Sequence, residues 1–219
     1  MLLYLAVTKH ILTMFQSASK SDERLMWSRF LKGDNQVLSV IFLQHYNAIF
    51  DYGCRFTVDR DMIKDCIQEV FCTLIQTRKH LSETDNVRLY LLTSLKRRII
   101  RVLKNSNNPS HLLTEEDYSF DLRWSENMND QLLELDEEKR LLLSEAMQSL
   151  TERQKEAIHL RFNRGLGYEE ISVLLNVNYQ SSRALIHRAI EKLRAIIQIP
   201  NKNQSIFVLH PSSKMRSCS

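Results

Sequence analysis

Apolar residues recur at helical spacing through most of the first hundred positions of this chain. Between positions 63 and 75 they follow one another at intervals of one, three or four, which places them on one side of a helix. This stripe comprises Ile63, Ile67, Val70, Phe71, Leu74 and Ile75. A second stripe comprises Leu92, Leu95, Ile99 and Val102. Together with the scarcity of glycine (4) and proline (3), the stripes predict an all-α protein with long helices and short connections.

Interruptions of this pattern define a first helical domain. Helix breaks are expected at Gly33–Asp34 and at the polar stretch Leu81–Asn86. We predict that the domain covers residues 22–105, and that residues 1–21 form a disordered N-terminal extension.

A second domain is expected after a long polar interruption. Residues 106–136 lack sustained periodicity, and we interpret them as a flexible acidic linker. Periodicity returns over residues 137–198, where Thr151 and Gln154 have the spacing of a capping box that begins a helix. We predict a four-helix domain there, followed by a disordered tail over residues 199–219.

Within the second domain, one window of about 25 residues has the pattern of a helix-turn-helix. Glu169 and Glu170 stand in the first turn of a helix, where the helix dipole favours anions. Asn176 stands where that helix must end in a left-handed residue, and Asn178 is placed to cap the next helix. The pattern therefore predicts two short helices joined by a tight turn.

The second helix of this pair has two distinct faces. Its inner face is predicted to carry Ser182, Ile186, Ala189 and Leu193. Gln180, Ala184, His187 and Arg188 point away from that face, with Ser181 and Arg183 at its edges. Amide, hydroxyl, imidazole and guanidinium groups at the start of a helix suit base edges and phosphates in a major groove, so we predict DNA binding. Taken singly, each of these residues is equally typical of a solvated surface.

The distribution of charge supports a nucleic-acid partner, although the net charge of +4 does not. Residues 87–104 include six basic residues and no acidic ones, and three of the six, Arg97, Arg101 and Lys104, share one helix face. Residues 115–138 include ten acidic residues and one basic residue. We interpret the acidic run as linker that is solvated, folds back on basic surfaces or occupies a nucleic-acid channel.

Other chemistries find little support. The four cysteines have no zinc-binding spacing, and we find no glycine-rich phosphate loop and no nucleophile–base pair. We therefore expect no metal, no cofactor and no enzymatic activity. The apolar stretch Leu2–Phe15 is interrupted by Lys9 and His10 and is too short to span a bilayer, so a cytoplasmic protein is expected.

Several segments resemble the extracytoplasmic-function group of the bacterial RNA polymerase sigma-70 family. In the second domain they are Leu150–Gln154, Leu160–Phe162, Gly165–Ile171 and His187–Arg194. In the first domain they are Trp27–Asp34, Asp65–Phe71 and Leu89–Lys96. Asn178–Ser181 is similar to members common in Bacteroidetes. The resemblance covers roughly residues 22–197, and its two blocks occur in the order that the family has.

The resemblance implies a two-domain initiation factor that binds core RNA polymerase as a monomer, without catalytic activity of its own. Asp65, Gln68 and Glu69 would contact polymerase. The −10 element would be met by the Leu81–Asn86 loop and the basic helix, through Asn86, Arg88, Lys96, Arg97, Arg101 and Lys104. The −35 element would be read by Gln180, Ser181, Arg183, Ala184, His187 and Arg188. The acidic linker would thread the RNA channel of polymerase, and an anti-sigma factor is the usual further partner.

Two departures from the family pattern bear on stability. Gly167 replaces a serine helix cap, which is a small loss. Ser182 stands where the family buries valine, so its hydroxyl needs a partner such as a backbone carbonyl one turn back, and it is expected to weaken the domain.

A stand-alone helix-turn-helix repressor or activator remains the alternative. The basic helix at 87–104 argues against it, because a ligand-binding or dimerisation domain needs no second nucleic-acid face.

Overall fold

The computed structural model describes residues 20–107, 118–122 and 137–197, and every regular element in those ranges is helical. The chain divides into two compact units between residues 113 and 114. An all-α fold of two domains was predicted from the sequence and is confirmed.

The first unit contains four helices. They are α1 (Lys20–Leu31), α2 (Asn35–Gly53), α3 (Arg60–Thr77) and α4 (Val87–Asn107), with a short 3₁₀ turn at Arg78–His80. The predicted breaks at Gly33–Asp34 and Leu81–Asn86 separate α1 from α2 and α3 from α4. Gly33 has a φ of +108° between α1 and α2, a conformation that favours glycine. Asp34 and Asp59 cap α2 and α3 by accepting backbone N–H groups.

The core of the first unit lies between α4 and the other three helices. Its largest fully buried side chains include Trp27, Phe30, Ile41, Ile63, Leu91 and Leu95. The predicted stripe of α3 is buried except at its last member, since Ile75 is 49% exposed. At Gly53, α2 approaches α3 so closely that an added Cβ would lie 2.6 Å from Ile63 Cγ2.

The second unit has the four predicted helices, with one irregularity. They are α5 (Glu137–Gln148), α6 (Glu152–Ile158), α7 (Tyr168–Leu174) and α8 (Tyr179–Ile197), and a π turn at His159–Asn163 extends α6. The capping box at Thr151 and Gln154 is present, as predicted. Because α8 packs against α5, α6 and α7 together, it is the central helix of the unit.

The segment between the two helical sets differs in part from its prediction as a flexible linker. Most of residues 106–136 lie outside the described residues, as do nearly all of the predicted extension (1–21) and the whole tail (199–219). Residues 118–122 are described, and they belong to the second unit, where Tyr118 and Phe120 are buried. Tyr118 and Phe120 explain the difference, because two aromatic side chains bury a large apolar surface and the polar side chains of a linker do not.

Candidate nucleic-acid interface

The turn between α7 and α8 has the geometry of a helix-turn-helix. Gly167 is the N-cap of α7, and the Glu170 carboxylate accepts the Gly167 N–H at 2.7 Å and so compensates for the missing side-chain cap. Asn176 has a φ of +52°, as the sequence predicts for the end of this helix. Asn178 then caps α8, since its Oδ1 accepts the Ser181 N–H at 2.7 Å.

The Ser182 hydroxyl links α7 and α8 by hydrogen bonding. The Ser182 side chain is fully buried, and the single proton of its hydroxyl is shared between the carbonyl oxygens of Tyr179 at 2.8 Å and Tyr168 at 2.9 Å. The bond to Tyr179 is the expected one, about a turn back on the same helix. The bond to Tyr168 crosses to α7, so the buried hydroxyl joins the two helices while it satisfies itself.

A second link holds the turn from outside the helix pair. Arg153, on α6, donates through Nη2 to the carbonyl oxygen of Leu175 at 2.8 Å. Leu175 is the C-cap of α7 and directly precedes the left-handed Asn176. A charged donor satisfies a carbonyl that the end of a helix leaves without an intrahelical partner.

The outer face of α8 is open to solvent. Gln180, Arg183, Ala184, His187 and Arg188 are exposed, and Ser181 is half-buried. The division of α8 into inner and outer faces is therefore as predicted. Arg188 folds back along the helix, with its Nε donating to Ala184 O at 3.2 Å. All six residues proposed from the sequence for −35 recognition lie on the first three turns of one helix.

An aromatic and guanidinium cluster flanks this face, which the sequence reading missed. We call it the Tyr168 cluster: Arg161, Tyr168, Tyr179 and Arg183. The guanidinium carbon of Arg161 lies 4.8 Å from the centre of the Tyr168 ring, and that of Arg183 lies 5.9 Å from it and 6.0 Å from the centre of the Tyr179 ring. At these distances the guanidinium groups are within cation–π range of the rings. The only sign of this cluster in the sequence is a tyrosine at the start of each helix, Tyr168 in α7 and Tyr179 in α8.

The six residues predicted to meet the −10 element do not form one surface. Arg97 and Arg101 are exposed on α4, and Lys104 is half-buried. Lys96, which was placed in the −10 set from its charge, is only 8% exposed and so is not part of the open basic face. On a helical wheel Lys96 falls between Leu92 and Ile100, within the buried arc of α4, so periodicity could have excluded it.

The remaining two residues of that set lie at the start of α4. Asn86 caps the helix, with Oδ1 accepting the Leu89 N–H at 2.9 Å. Arg88 is half-buried close to the buried His45, on α2. Burial and, secondarily, the charge of Arg88 lower the pKa of His45 to about 4. Although the Glu23 carboxylate is 3.8 Å from His45 Nε2, burial outweighs that attraction and leaves the imidazole neutral at pH 7.

The preceding loop is fixed by α1. Trp27, which is fully buried, donates through Nε1 to the carbonyl oxygen of Ser82 at 3.0 Å. Its ring packs against those of Phe30 and Tyr90, with centres 5.5 and 5.3 Å away. The Leu81–Asn86 loop is therefore tied at one end to the core and at the other to the cap of α4.

The polar face of α3 carries the residues predicted to contact polymerase. Asp65, Gln68 and Glu69 are all exposed and lie on neighbouring turns. Glu69 forms an ion pair with Arg98 of α4, so its carboxylate also ties two helices of the unit together.

The described residues form neither a metal centre nor a membrane-spanning helix. No group of three or more His, Cys, Asp or Glu side chains there is arranged to hold a metal ion. None of the helices in those residues combines the length and apolar character needed to cross a membrane.

Comparison with known proteins identifies both units. A family model for sigma-70 region 2 matches residues 41–108, in the first unit, and one for sigma-70 region 4 matches residues 140–193, in the second. RNA polymerase sigma factor CarQ of Myxococcus xanthus is 22% identical over 169 residues, covering 77% of this chain and 94% of CarQ.

Two solved structures are similar to this chain at low sequence identity. CnrH, solved in complex with the cytosolic domain of CnrY, has a TM-score of 0.52 and 15% identity, over 80% of this chain and 96% of that one. RpoE of Bartonella quintana, solved with the anti-sigma factor NepR, has a TM-score of 0.49 and 17% identity, over 74% and 97%.

The two family models together match more than half of the chain, in the order region 2 then region 4, and each falls within one compact unit. The chain therefore belongs to the sigma-70 family of RNA polymerase sigma factors, in its extracytoplasmic-function group, and directs RNA polymerase to promoters.

Proposed function

We propose that this protein binds core RNA polymerase as a monomer in the cytoplasm, has no catalytic activity of its own, and reads promoters through two surfaces. The outer face of α8 would read the −35 element, and the basic side of α4 with the loop before it would meet the −10 element. The observation that carries the proposal is the open outer face of α8, on a helix-turn-helix whose turn is fixed from both sides.

Within that face, we assign base reading to Arg183, His187 and Arg188, and register on the DNA backbone to Gln180 and Ser181. An arginine that forks onto guanine is worth about 1–3 kcal/mol against the wrong base, whereas a phosphate contact weakens all sequences alike. The small side chain of Ala184 leaves room between these residues, so that a DNA groove could approach α8 closely.

Binding of each holoenzyme variant to randomised −35 elements at fixed salt tests this division. Arg183→Ala and Arg188→Ala should relax preference at particular positions, and Ser181→Ala should weaken binding evenly. If both arginine variants keep the wild-type preferred sequence and lose affinity evenly, recognition rests on DNA shape and backbone contacts instead.

For the −10 element we assign phosphate contacts to Arg97, Arg101 and Lys104, and leave out Lys96 because it is buried. Asn86 and Arg88 would act at the edge of the loop, which would capture an unstacked base of the melted strand. The ties of this loop to Trp27 and to the α4 cap support such a role, because a preformed loop loses less entropy on binding.

Polymerase docking is assigned to Asp65, Gln68 and Glu69 on α3. Asp65→Ala/Gln68→Ala should weaken co-purification with core polymerase while the helical content stays unchanged, and Asn47→Ala, at an exposed amide on α2, is the matched control. Glu69→Ala is tested separately, because it also removes the ion pair with Arg98. Undiminished binding by the double variant would place the docking surface elsewhere.

Reconstituted transcription tests the proposal as a whole. Core polymerase with this protein should start transcripts from a subset of genomic fragments, and none without it. A stand-alone repressor or activator, the alternative, would instead bind its DNA as a homodimer and fail to co-purify with core polymerase.

An anti-sigma partner is part of the proposal. The group usually has one, and CnrH, which shares the fold, was solved with the cytosolic domain of CnrY. A protein that co-purifies from the native cell and is displaced by core polymerase would support such a partner. A partner that binds together with polymerase would contradict it.

A further inference from the structure

A short stretch of chain between α4 and α5 packs against helices of the second unit, which we call the DNA-reading unit. Tyr118 is 9% exposed and Phe120 is 1% exposed, while Ser119 and Asp121 are exposed. This alternation is that of an extended segment with one face packed on a surface. The segment Tyr118–Leu122, which we call the docking segment, belongs to the second unit.

Two acidic side chains of α6 hold the docking segment by hydrogen bonds. The Tyr118 hydroxyl donates to the carboxylate of Glu156, and the Phe120 N–H donates to the carboxylate of Glu152. Glu156 is fully buried, and a buried carboxylate without a donor is strongly unfavourable. Burial, then the charge of Glu156, raises the pKa of Tyr118, so its hydroxyl keeps the proton that it donates.

The apolar part of the contact is centred on the π turn that follows α6. The rings of Phe120 and His159 meet edge to face, with centres 5.5 Å apart, and His159 is buried within that turn. His159 Nε2 in turn accepts the Nε–H of Arg164 at 3.2 Å. π turns inside α-helices are often associated with function, and the Phe120 ring packs on this one.

Helix α6 also forms a hydrogen bond with the helix-turn-helix. Arg153, one turn before Glu156, donates to Leu175 O at the end of α7. α6 therefore carries the docking segment through Glu152 and Glu156, and supports the turn before the reading helix through Arg153.

We propose that the docking segment is a built-in part of the DNA-reading unit, which binds the surface made by Glu152, Glu156 and His159 and thereby positions the helix-turn-helix. Tyr118 and Phe120 are positioning residues: they act through α6 and Arg153, without touching DNA. The interdomain connection is then anchored to the second unit over these residues, and is not a free tether along its whole length.

Hydrogen exchange of the full-length protein, with and without core polymerase, tests the anchor. In the wild type, amides of the docking segment should exchange far more slowly than in an unfolded chain, because Phe120 N–H is bonded and its side chain is buried. Exchange at unfolded-chain rates in both samples would overturn the proposal, whatever the variants do.

Variants test the positioning role. Tyr118→Phe removes a hydrogen bond to a charged group, which contributes about 1.5–3 kcal/mol, and Phe120→Ala removes a buried ring, so each should accelerate exchange in α6 and at residues 175–178 by about tenfold or more. The helices α1–α4 serve as an internal standard and should not change. Ser119→Ala, at an exposed position between the two aromatic residues, is the matched control and should behave as wild type.

A rescue and a DNA readout separate positioning from general loss of folding. Tyr118→Phe/Glu156→Leu removes the buried carboxylate together with the hydroxyl that donates to it, so it should exchange more slowly than Tyr118→Phe alone. Tyr118→Phe should weaken binding to −35 DNA several-fold with the preferred sequence and salt dependence unchanged, and the double variant should recover affinity. Acceleration confined to residues 118–122, or no recovery in the double variant, would refute the positioning role.

Discussion

The split of the basic residues on α4 leads to a quantitative prediction about salt. Arg97 and Arg101 are exposed, whereas Lys96, their neighbour in sequence, is 8% exposed. Arg97→Ala/Arg101→Ala should therefore remove two phosphate contacts from the promoter complex. Lys96→Met, which keeps the buried aliphatic stem and removes the charge, should remove none.

The magnitude follows from counterion release. Each lost phosphate contact flattens the dependence of log affinity on log salt by about 0.7 to 0.9 units, the lower value applying to single strands. Two contacts amount to about 1.4 to 1.8 units. Between 50 and 200 mM salt, the wild-type holoenzyme should therefore lose about tenfold more affinity than the double arginine variant.

The assay is equilibrium binding of holoenzyme to a labelled promoter fragment over that salt range, with each variant's helical content checked by circular dichroism. A double arginine variant with the wild-type slope would show that this face is merely solvated. A Lys96→Met variant with a reduced slope would show that Lys96 leaves its buried position on the promoter, and the assignment by exposure would be wrong.

Three further predictions concern stability. Gly53→Ala should lower the free energy of unfolding by about 1 kcal/mol despite alanine's helix propensity, because its Cβ would lie 2.6 Å from Ile63 Cγ2. Gly53→Ala/Ile63→Leu, which lacks that methyl group, should recover part of the loss in urea titrations, and an unchanged midpoint would refute the clash. Ser182→Ala should cost about 1 kcal/mol on thermal or urea unfolding, since it removes the bond from α8 to α7, and a gain in stability would contradict that role. The pKa of His45 is about 4 in the folded protein, which is below its value in the unfolded chain. The contribution of His45 to the free energy of unfolding is therefore complete above pH 6.5, and about 3 kcal/mol is lost as the pH falls to 4. His45→Gln should flatten the stability profile between those pH values, and an unaltered profile would show that another group causes the acid sensitivity.

Some features of the DNA-reading unit could be read from the sequence because their causes are local. The capping box at Thr151, the left-handed Asn176 and the cap at Asn178 each involve residues within four positions of one another. The two faces of α8 follow from the helical repeat alone. The residues proposed for −35 recognition are therefore together on one exposed face, while their contact with DNA remains a prediction.

The −10 set was predicted less well, although the sequence held part of the answer. Charge singled out residues 87–104, and charge does not distinguish a basic residue on the solvent side from one beside the core. The helical wheel separates Lys96 from Arg97, because the first lies in the arc of Leu92 and Ile100. The capping role of Asn86 was likewise visible only once the start of α4 was fixed.

The sequence by itself determined the helices, most of their caps, their buried faces and the family, because periodicity and capping act over a few residues and the two blocks that match the family are continuous stretches of chain. Only the tertiary structure decided which distant groups meet. Tyr118 reaches Glu156 across 38 positions, Arg153 reaches Leu175 across 22, and Ser182 reaches Tyr168 across 14. Such contacts depend on how helices pack, and a buried carboxylate or hydroxyl selects whichever donor or acceptor the packed fold brings within hydrogen-bond distance.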